Sequence, residues 1–265
     1  MVKKIKQQEN YLNYLPFINY LITGILVVFS FFLYFKFDEI NKRLTKIEQL
    51  INPQQQAQQK ELKIDEIKKL FTKDFIHFGD DKRKILIVEI SDPSCPYCHI
   101  AGGHNQELAK ESGRFAYVSD GGNYIPPVPE IKKLVDEKKT SFAFIYSNGH
   151  GNGRIAAEAL YCAFEKGKFW EVHDKLMTNE GYSLINEQVA NDRSKANLLV
   201  NFLSDTIESQ FLSNCLSSAK YEKNLLRDEQ LSPSLGFQGT PHFIINTKMF
   251  PGAYSFSDMK SAMDL

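Results

Sequence analysis

An excess of charge of either sign is missing from this chain. Its 265 residues carry 32 lysines and arginines against 32 aspartates and glutamates, so nothing electrostatic argues for a nucleic-acid partner. No repeat of solenoid period occurs. The richest glycine run, residues 148–153 (Asn-Gly-His-Gly-Asn-Gly), lacks the Gly-Lys-Ser/Thr ending of a phosphate loop and does not fit GxGxxG; it reads as a turn. Cysteine is scarce, at four. Cys162 and Cys215 have no CxxC partner and no histidine at ligand spacing, which leaves a metal role weak.

The other two cysteines organise the chain. Residues 85–90 are an apolar, β-favouring run, followed by a short turn and then Cys95-Pro96-Tyr97-Cys98-His99. Two thiols three positions apart at a helix start can close and reopen a disulfide ring. The helix N-terminus presents unpaired N–H groups, which favours a Cys95 thiolate and lowers its pKa. Cys98, one turn further in, is expected to be more buried and to act as the resolving thiol. The same five residues also fit CxxCH haem attachment, with His99 on iron, or half of a zinc site. Glu89 lies on the strand leading to the thiols. In an apolar setting its carboxyl pKa rises, and it can shuttle the Cys98 proton; the alternative is an ordinary exposed strand glutamate. His150 reads as a loop histidine, with a place near the thiols as its other reading.

The N-terminal quarter is organised differently. Residues 17–35 form a 19-residue stretch without charge, long enough at roughly 28 Å to span a bilayer core. Tyr14, Tyr20 and Tyr34 flank it as interfacial aromatics do. No small-x-small cleavage site follows, so a retained single-pass anchor is expected rather than a signal peptide. Lysines on both sides leave orientation unsettled by charge. The thiol chemistry needs an oxidising space, which places residues 1–16 in the cytoplasm and the bulk of the chain outside. In the 36–61 segment, Phe37, Ile40, Leu44, Ile47 and Ile51 follow a 3-4-3-4 spacing. That is a two-heptad seam, for homo-oligomerisation through residues 37–51 or for lying along the membrane. Pro53 and a glutamine-rich spacer close it.

Residues 62–265 read as globular. Helices are expected over 62–71, from Cys98 to about residue 111, over 130–137, over 154–177 and, in two or more pieces, over 184–230. Strands are expected over 74–78, 85–90, 115–118 and 140–147, with a hairpin partner over 249–253 and a closing helix over 257–263. The 112–129 stretch is long and irregular, either a lid or a surface insertion. Cys162 and Cys215 share the helical segment; in an oxidising compartment they pair as a structural disulfide, with two packed free thiols as the alternative. Gly239-Thr240-Pro241 enters an apolar strand. If its peptide bond is cis, Thr240 is brought against the thiols, where its backbone can pair with a client peptide.

With these pieces assembled, residues 62–265 resemble a DsbA-like member of the thioredoxin superfamily. The resemblance is carried by the strand into Cys95-Pro96-Tyr97-Cys98, by Glu89 at the family's buried acid, by the helical insertion with Cys162 and Phe169-Trp170, and by Gly239-Thr240-Pro241. The haem reading explains none of the last three. The resemblance implies an α/β fold: a thioredoxin-like mixed sheet of four or five strands with an inserted helical subdomain over about 154–232, preceded by the transmembrane helix. It implies a cis Pro241, Cys95 as nucleophile, Cys98 as resolving thiol, and Thr240 and Pro241 as the substrate-facing turn. No cofactor is called for. The implied partners are cysteine-containing client proteins and a membrane or soluble redox partner that resets the disulfide. Oxidation, isomerisation and reduction stay open, as does a peptide-binding chaperone role with little turnover. The family's well-known oxidants carry Pro-His between the cysteines. Pro96-Tyr97 stands here, and a tyrosine does not supply the positive charge of a histidine, so a less oxidising disulfide is expected.

Overall fold

The computed structural model describes residues 29–43 and 62–263. The chain divides into two units at residues 59 and 60. In the first, 29–43 is a helix (α1). Phe29, Phe31, Phe32, Leu33, Tyr34 and Phe35 are all exposed on it. Lys36 and Arg43 pair with Glu39, and Lys42 with Asp38, at the i,i+3 and i,i+4 spacings that make helix neighbours. Among the described residues no helix is long and apolar enough to cross a membrane. Residues 17–28 of the expected anchor and 44–51 of the heptad seam lie outside the described residues.

The second unit is built on five strands: β1 (Ile76–Phe78), β2 (Ile85–Ser91), β3 (Thr140–Tyr146), β4 (His242–Ile245) and β5 (Lys248–Pro251), in sheet order β1-β3-β2-β4-β5. β2 and β3 run parallel and every other pairing is antiparallel. This is a thioredoxin-like mixed sheet. Central strands of this kind are buried on both faces, which explains why β2 and β3 read as unbroken apolar runs. Alternation along β2 separates the faces. Ile85 and Ile87 join the large core beneath the helical insertion, and Leu86, Val88 and Ile90 join a smaller core with Ile67, Leu70 and Phe237.

The helices of this unit are α2 (Ile64–Lys68), α3 (Pro96–Gly102), α4 (Gln106–Glu111), α5 (Pro127–Asp136), α6 (Arg154–Glu165), α7 (Phe169–Leu176), α8 (Asn179–Ser183), α9 (Ala196–Phe202), α10 (Ser209–Ser217), α11 (Glu222–Ser234) and α12 (Phe256–Lys260). α6 to α11 form the insertion between β3 and β4. Trp170 locks it to the sheet, its ring 5.2 Å from Phe142 on β3 and 5.1 Å from Phe78 on β1. Asp228 on α11 adds a buried polar tie, accepting from Tyr146 N–H at 3.2 Å and Tyr161 O–H at 2.6 Å. Cys162 on α6 and Cys215 on α10 are joined by a disulfide with Cα atoms 6.3 Å apart.

Several element bounds differ from the sequence expectation. The helix after Cys98 does not run to residue 111. It stops at Gly102, and Gly103 takes φ +80° as its C-cap, a left-handed conformation that glycine enters without penalty. The expected 62–71 helix shrinks to one turn, and the 154–177 helix breaks at 166–168, where Gly167 takes φ +67°. Residues 115–118 make no strand; only a single bridge joins Tyr117 to Tyr124. The 112–129 segment instead packs on α3: Tyr117 and Tyr124 cluster with Ile100 and Ala109, and Tyr117 O–H donates to the Ile100 carbonyl at 3.1 Å.

Candidate functional site

Strand β2 ends and α3 begins within five residues, and that turn is the site. Cys95 is the N-cap of α3, with Pro96 at the first helical position, where its missing N–H costs nothing. The Cys95 thiol donates to the Thr240 carbonyl at 3.3 Å, across 145 residues of sequence. The Thr240–Pro241 peptide is cis and leads into β4, the antiparallel neighbour of β2. The sheet therefore brings Cys95, Cys98, Pro96, Tyr97, Thr240 and Pro241 to one end. Both thiols are free and buried, so surface exposure alone does not separate them. Tyr97, by contrast, is 47% exposed, edge-on to Phe115 at 5.8 Å.

The thiols are electrostatically unlike. The hydrogen bond from Cys98 pulls the Cys95 pKa down against the effect of burial, with help from Thr240, the Cys98 backbone and the His150 charge, to about 6. Burial pushes Cys98 well above the ordinary thiol value, and the Cys95 charge pushes it further. Asp92 N–H points at the Cys98 sulfur from 3.4 Å. Glu89 is buried, and neither carboxyl oxygen reaches a hydrogen-bond partner. Burial raises its pKa, opposed by the His173 charge and the Ser91 hydroxyl. By strand alternation Ser91 shares the face of Glu89, and its hydroxyl acts on Cys98 as well. Ser91 thus influences both the carboxyl and the inner thiol.

His99 is not available to a metal. It is buried, its Nε2 lies 2.8 Å from the Pro93 carbonyl, and Tyr182 sits edge-on to the ring at 4.9 Å. Burial holds its pKa down at about 4. Among the described residues no group of histidine, cysteine and carboxylate side chains has metal-site geometry.

Asp92, which the sequence reading did not single out, holds the turn together. One of its oxygens accepts from Ser94 N–H and O–H at 2.8 and 2.7 Å, and the other from the Gly149 and His150 amides, each at 2.8 Å. The glycine-rich run at 148–153 is thereby pinned over the thiols. A Cβ at Gly153 would fall 1.8 Å from Asp92 Oδ1, and one at Gly149 2.5 Å from Thr240 Oγ1. The signal was legible as Asp92-Pro93-Ser94, an Asx turn closing a strand. Replacing Asp92 with alanine strands four buried or half-buried donors. It is expected to cost about 3 kcal/mol in urea unfolding and to raise the pKa for Cys95 alkylation as His150 moves off. An unchanged midpoint and alkylation profile would show that Asp92 does not organise the turn.

Beside the thiols runs an open groove of about 820 Å³ lined by Tyr97, Phe115, Tyr124, Thr240 and Tyr254. The 112–129 segment forms one wall of it through Phe115 and Tyr124. Cys162 and Cys215 are joined to each other in the helical insertion and take no part in this site.

Known proteins match part of this sequence and share its fold. Residues 129–265 match the family described as Thioredoxin. BdbD from Bacillus subtilis, in its oxidised form, superposes with TM-score 0.55 at 21% identity, over 72% of this chain and 92% of that one. The alpha-DsbA1 of Wolbachia pipientis, in a form with two cysteines replaced by alanine, superposes with TM-score 0.55 at 16% identity, over 77% and 94%. At these identities the likeness is one of fold. A Na(+)/H(+) antiporter NhaA 1 from Salinispora arenicola is 23% identical over 185 residues, 70% of this chain and 24% of that protein. The chain spans about a quarter of the length of the curated relatives it matches.

Proposed function

The chain belongs to the thioredoxin family, and from that premise we propose that it is a membrane-tethered thiol–disulfide oxidoreductase acting outside the cytoplasm on cysteine-containing client proteins. The observation that carries the reading is the pair of free thiols on the first turn of α3, the outer one at the N-cap and against the Thr240 carbonyl. A client thiolate attacks Cys95 Sγ of the oxidised enzyme. The Cys95–Cys98 bond breaks, and Cys98 leaves as a thiolate that takes a proton, as its raised pKa dictates. A second client thiolate then attacks the client sulfur of the mixed disulfide and expels Cys95 as a thiolate. The client leaves with a disulfide and the enzyme with two thiols, which a redox partner reoxidises. Glu89 is the group that supplies and recovers the Cys98 proton, and the groove beside Thr240 receives the client chain.

The Cys162–Cys215 bond supports an oxidising compartment. With the uncharged run at 17–35 it supports a cytoplasmic N-terminus and an extracytoplasmic catalytic unit. Self-association through residues 37–51 would present several sites to one client and favour isomerisation.

The test is the reduction potential of Cys95–Cys98 in the full-length protein, equilibrated against glutathione and read by thiol trapping. A reversible disulfide between about −270 and −120 mV, the thioredoxin and DsbA ends of the scale, is expected. The oxidant half of that range assigns disulfide donation and the lower half reduction or isomerisation. Failure of the two thiols to form any reversible disulfide would overturn the reading.

A further inference from the structure

Helix α8 runs on into a π-helix, Leu184–Val189, and this wider turn reaches the thiol site from the helical insertion. Resting on the oxidoreductase reading, we propose that Asn186, on the π-helix, is a positioning residue for Cys95. It holds the Ser94–Cys95 peptide on one side and the glycine-rich loop on the other, and so sets the reactivity of the outer thiol.

A side-chain amide carries two N–H donors and an acceptor oxygen, and Asn186 uses all three. Its Nδ2 donates to the Ser94 carbonyl at 3.3 Å and to the Tyr182 carbonyl, one turn back, at 3.1 Å. Its Oδ1 accepts from Asn152 Nδ2 at 3.4 Å. The bond to Tyr182 fixes the amide, so the second N–H stays aimed at Ser94. Ser94 is buried, and its own N–H and hydroxyl go to Asp92, two residues away. Cys95 N–H donates to the Asp92 carbonyl at 2.9 Å. The Ser94–Cys95 peptide is therefore held at its N–H by the turn after β2 and at its carbonyl by the insertion. A peptide group is planar, so ties at both ends fix its orientation. They fix with it the direction in which Cys95 Sγ meets the Thr240 carbonyl.

The backbone around Asn186 is unusual in the way this role requires. π-Helical turns are rare and occur mostly at functional sites. This one ends on two successive left-handed residues that are not glycine, Ala190 at φ +46° and Asn191 at φ +60°. An alanine there is strained, and such strain persists where the surrounding structure enforces it. The turn brings Asn191 onto the same loop. Its Nδ2 donates to the Gly151 carbonyl, and its Oδ1 accepts from Ile155 N–H at 3.3 Å. Asp92 holds the other end of the loop through the Gly149 and His150 amides. Tyr182 also meets His99 of α3 edge-on at 4.9 Å. The insertion thus touches the thiol turn on both sides of Cys95, at Ser94 and at His99.

The Cys95 thiolate is favoured by hydrogen bonds with Cys98 and Thr240 and by the His150 charge, and each requires the sulfur and the loop in place. Without the Asn186 amide the buried Ser94 carbonyl loses its donor. The peptide then turns, the sulfur moves off its partners and the loop slackens. The titratable groups acting with Cys95 are Cys98 of α3, His150 of the loop and Tyr182 of the insertion, and the variants below change none of them.

The test is the pH midpoint of Cys95 alkylation by iodoacetamide in reduced full-length protein, with the labelled site read by mass spectrometry. N186L keeps the side-chain volume and removes the amide. N186Q keeps the amide on a longer arm. N152A cuts only the arm to the loop. We expect N186L to raise the midpoint by about one unit, a roughly ten-fold loss of thiolate well below it. N186Q should return most of that shift, and N152A should give a smaller one. A folded N186L with the wild-type midpoint overturns the proposal even if its stability falls, because the amide is then a structural tie alone. If N186L does not fold, a wild-type midpoint in N152A overturns it. The readout needs only the reduced thiol. A wild-type protein that forms no reversible disulfide is therefore a separate result: it removes the oxidoreductase reading, and the midpoint still reports on Asn186.

Discussion

Replacing Cys95 with serine is expected to bring thiol–disulfide exchange down to the uncatalysed rate, whereas C98S is expected to keep a reactive outer thiol and trap mixed disulfides with clients. The two thiols lie three residues apart in sequence, yet their pKa values move in opposite directions. In the wild type, the rate of Cys95 alkylation should titrate near pH 6, against the ordinary 9.0. At pH 7 that raises the thiolate fraction from about 1% to about 90%. The gain in attack is smaller. Nucleophilicity falls with basicity with a slope of about 0.45, so three units give back a factor of about 20 and leave about 4-fold. The depressed pKa therefore serves Cys95 chiefly as a leaving group, which favours handing a disulfide to a client. It also holds the reduced state down by about 1.4 kcal/mol at pH 7, equivalent to about 30 mV. The sign follows from a folded-state pKa below the unfolded one. This contribution is complete above pH 9 and is lost as pH falls through 6, so the reduced protein loses its advantage over the oxidised one in acid. Exchange retained by C95S, or alkylation titrating near pH 9, would remove Cys95 from its role.

The second large effect concerns stability. Cys162 and Cys215 close a loop with a sequence separation of 53, and chain-entropy arithmetic for that length gives about 4 kcal/mol. The double variant C162A/C215A is expected to lower the free energy of urea unfolding by about that amount. In a unit of this size it should lower Tm by roughly 10 °C. Because α6 and α10 pack around the bond, cavity terms at two buried alanines add to the loss rather than offset it. Its site chemistry should survive below the melting range, since neither residue approaches the thiols. A change below about 1 kcal/mol would mean that packing alone holds the insertion together.

Much of the site was legible because its chemistry is local. The strand, the turn and Cys95-Pro96-Tyr97-Cys98 occupy one continuous stretch, and Gly239-Thr240-Pro241 marks the second piece. The composition of β2 and β3 gave away their burial on both faces. What escaped were contacts between distant residues. Asp92 looks like any turn aspartate until Gly149 and His150 arrive on its far oxygen. Asp228 is one acid among many on a mostly polar helix until Tyr146 and Tyr161 close on it. The break at Gly103 sits at the Gly102-Gly103 pair, and a pattern of apolar spacing does not tell a capped end from a bend. Residues 115–118 have strand composition. Their aromatic rings are spent on covering α3, and tertiary packing overrides the propensity.

The facing of Cys95 and Thr240 also sets an order of events during synthesis. The two pieces are 145 residues apart, and they meet only when β4 adds to the free edge of β2. At about 5–20 residues per second, the thiols leave the ribosome about 7–30 s before the Thr240 carbonyl exists to meet them. For that interval the nascent chain carries a reactive pair with no opposing wall, open to any oxidant or thiol it encounters. A chain of this design completes the wall against its thiols last, after the thiols themselves are made.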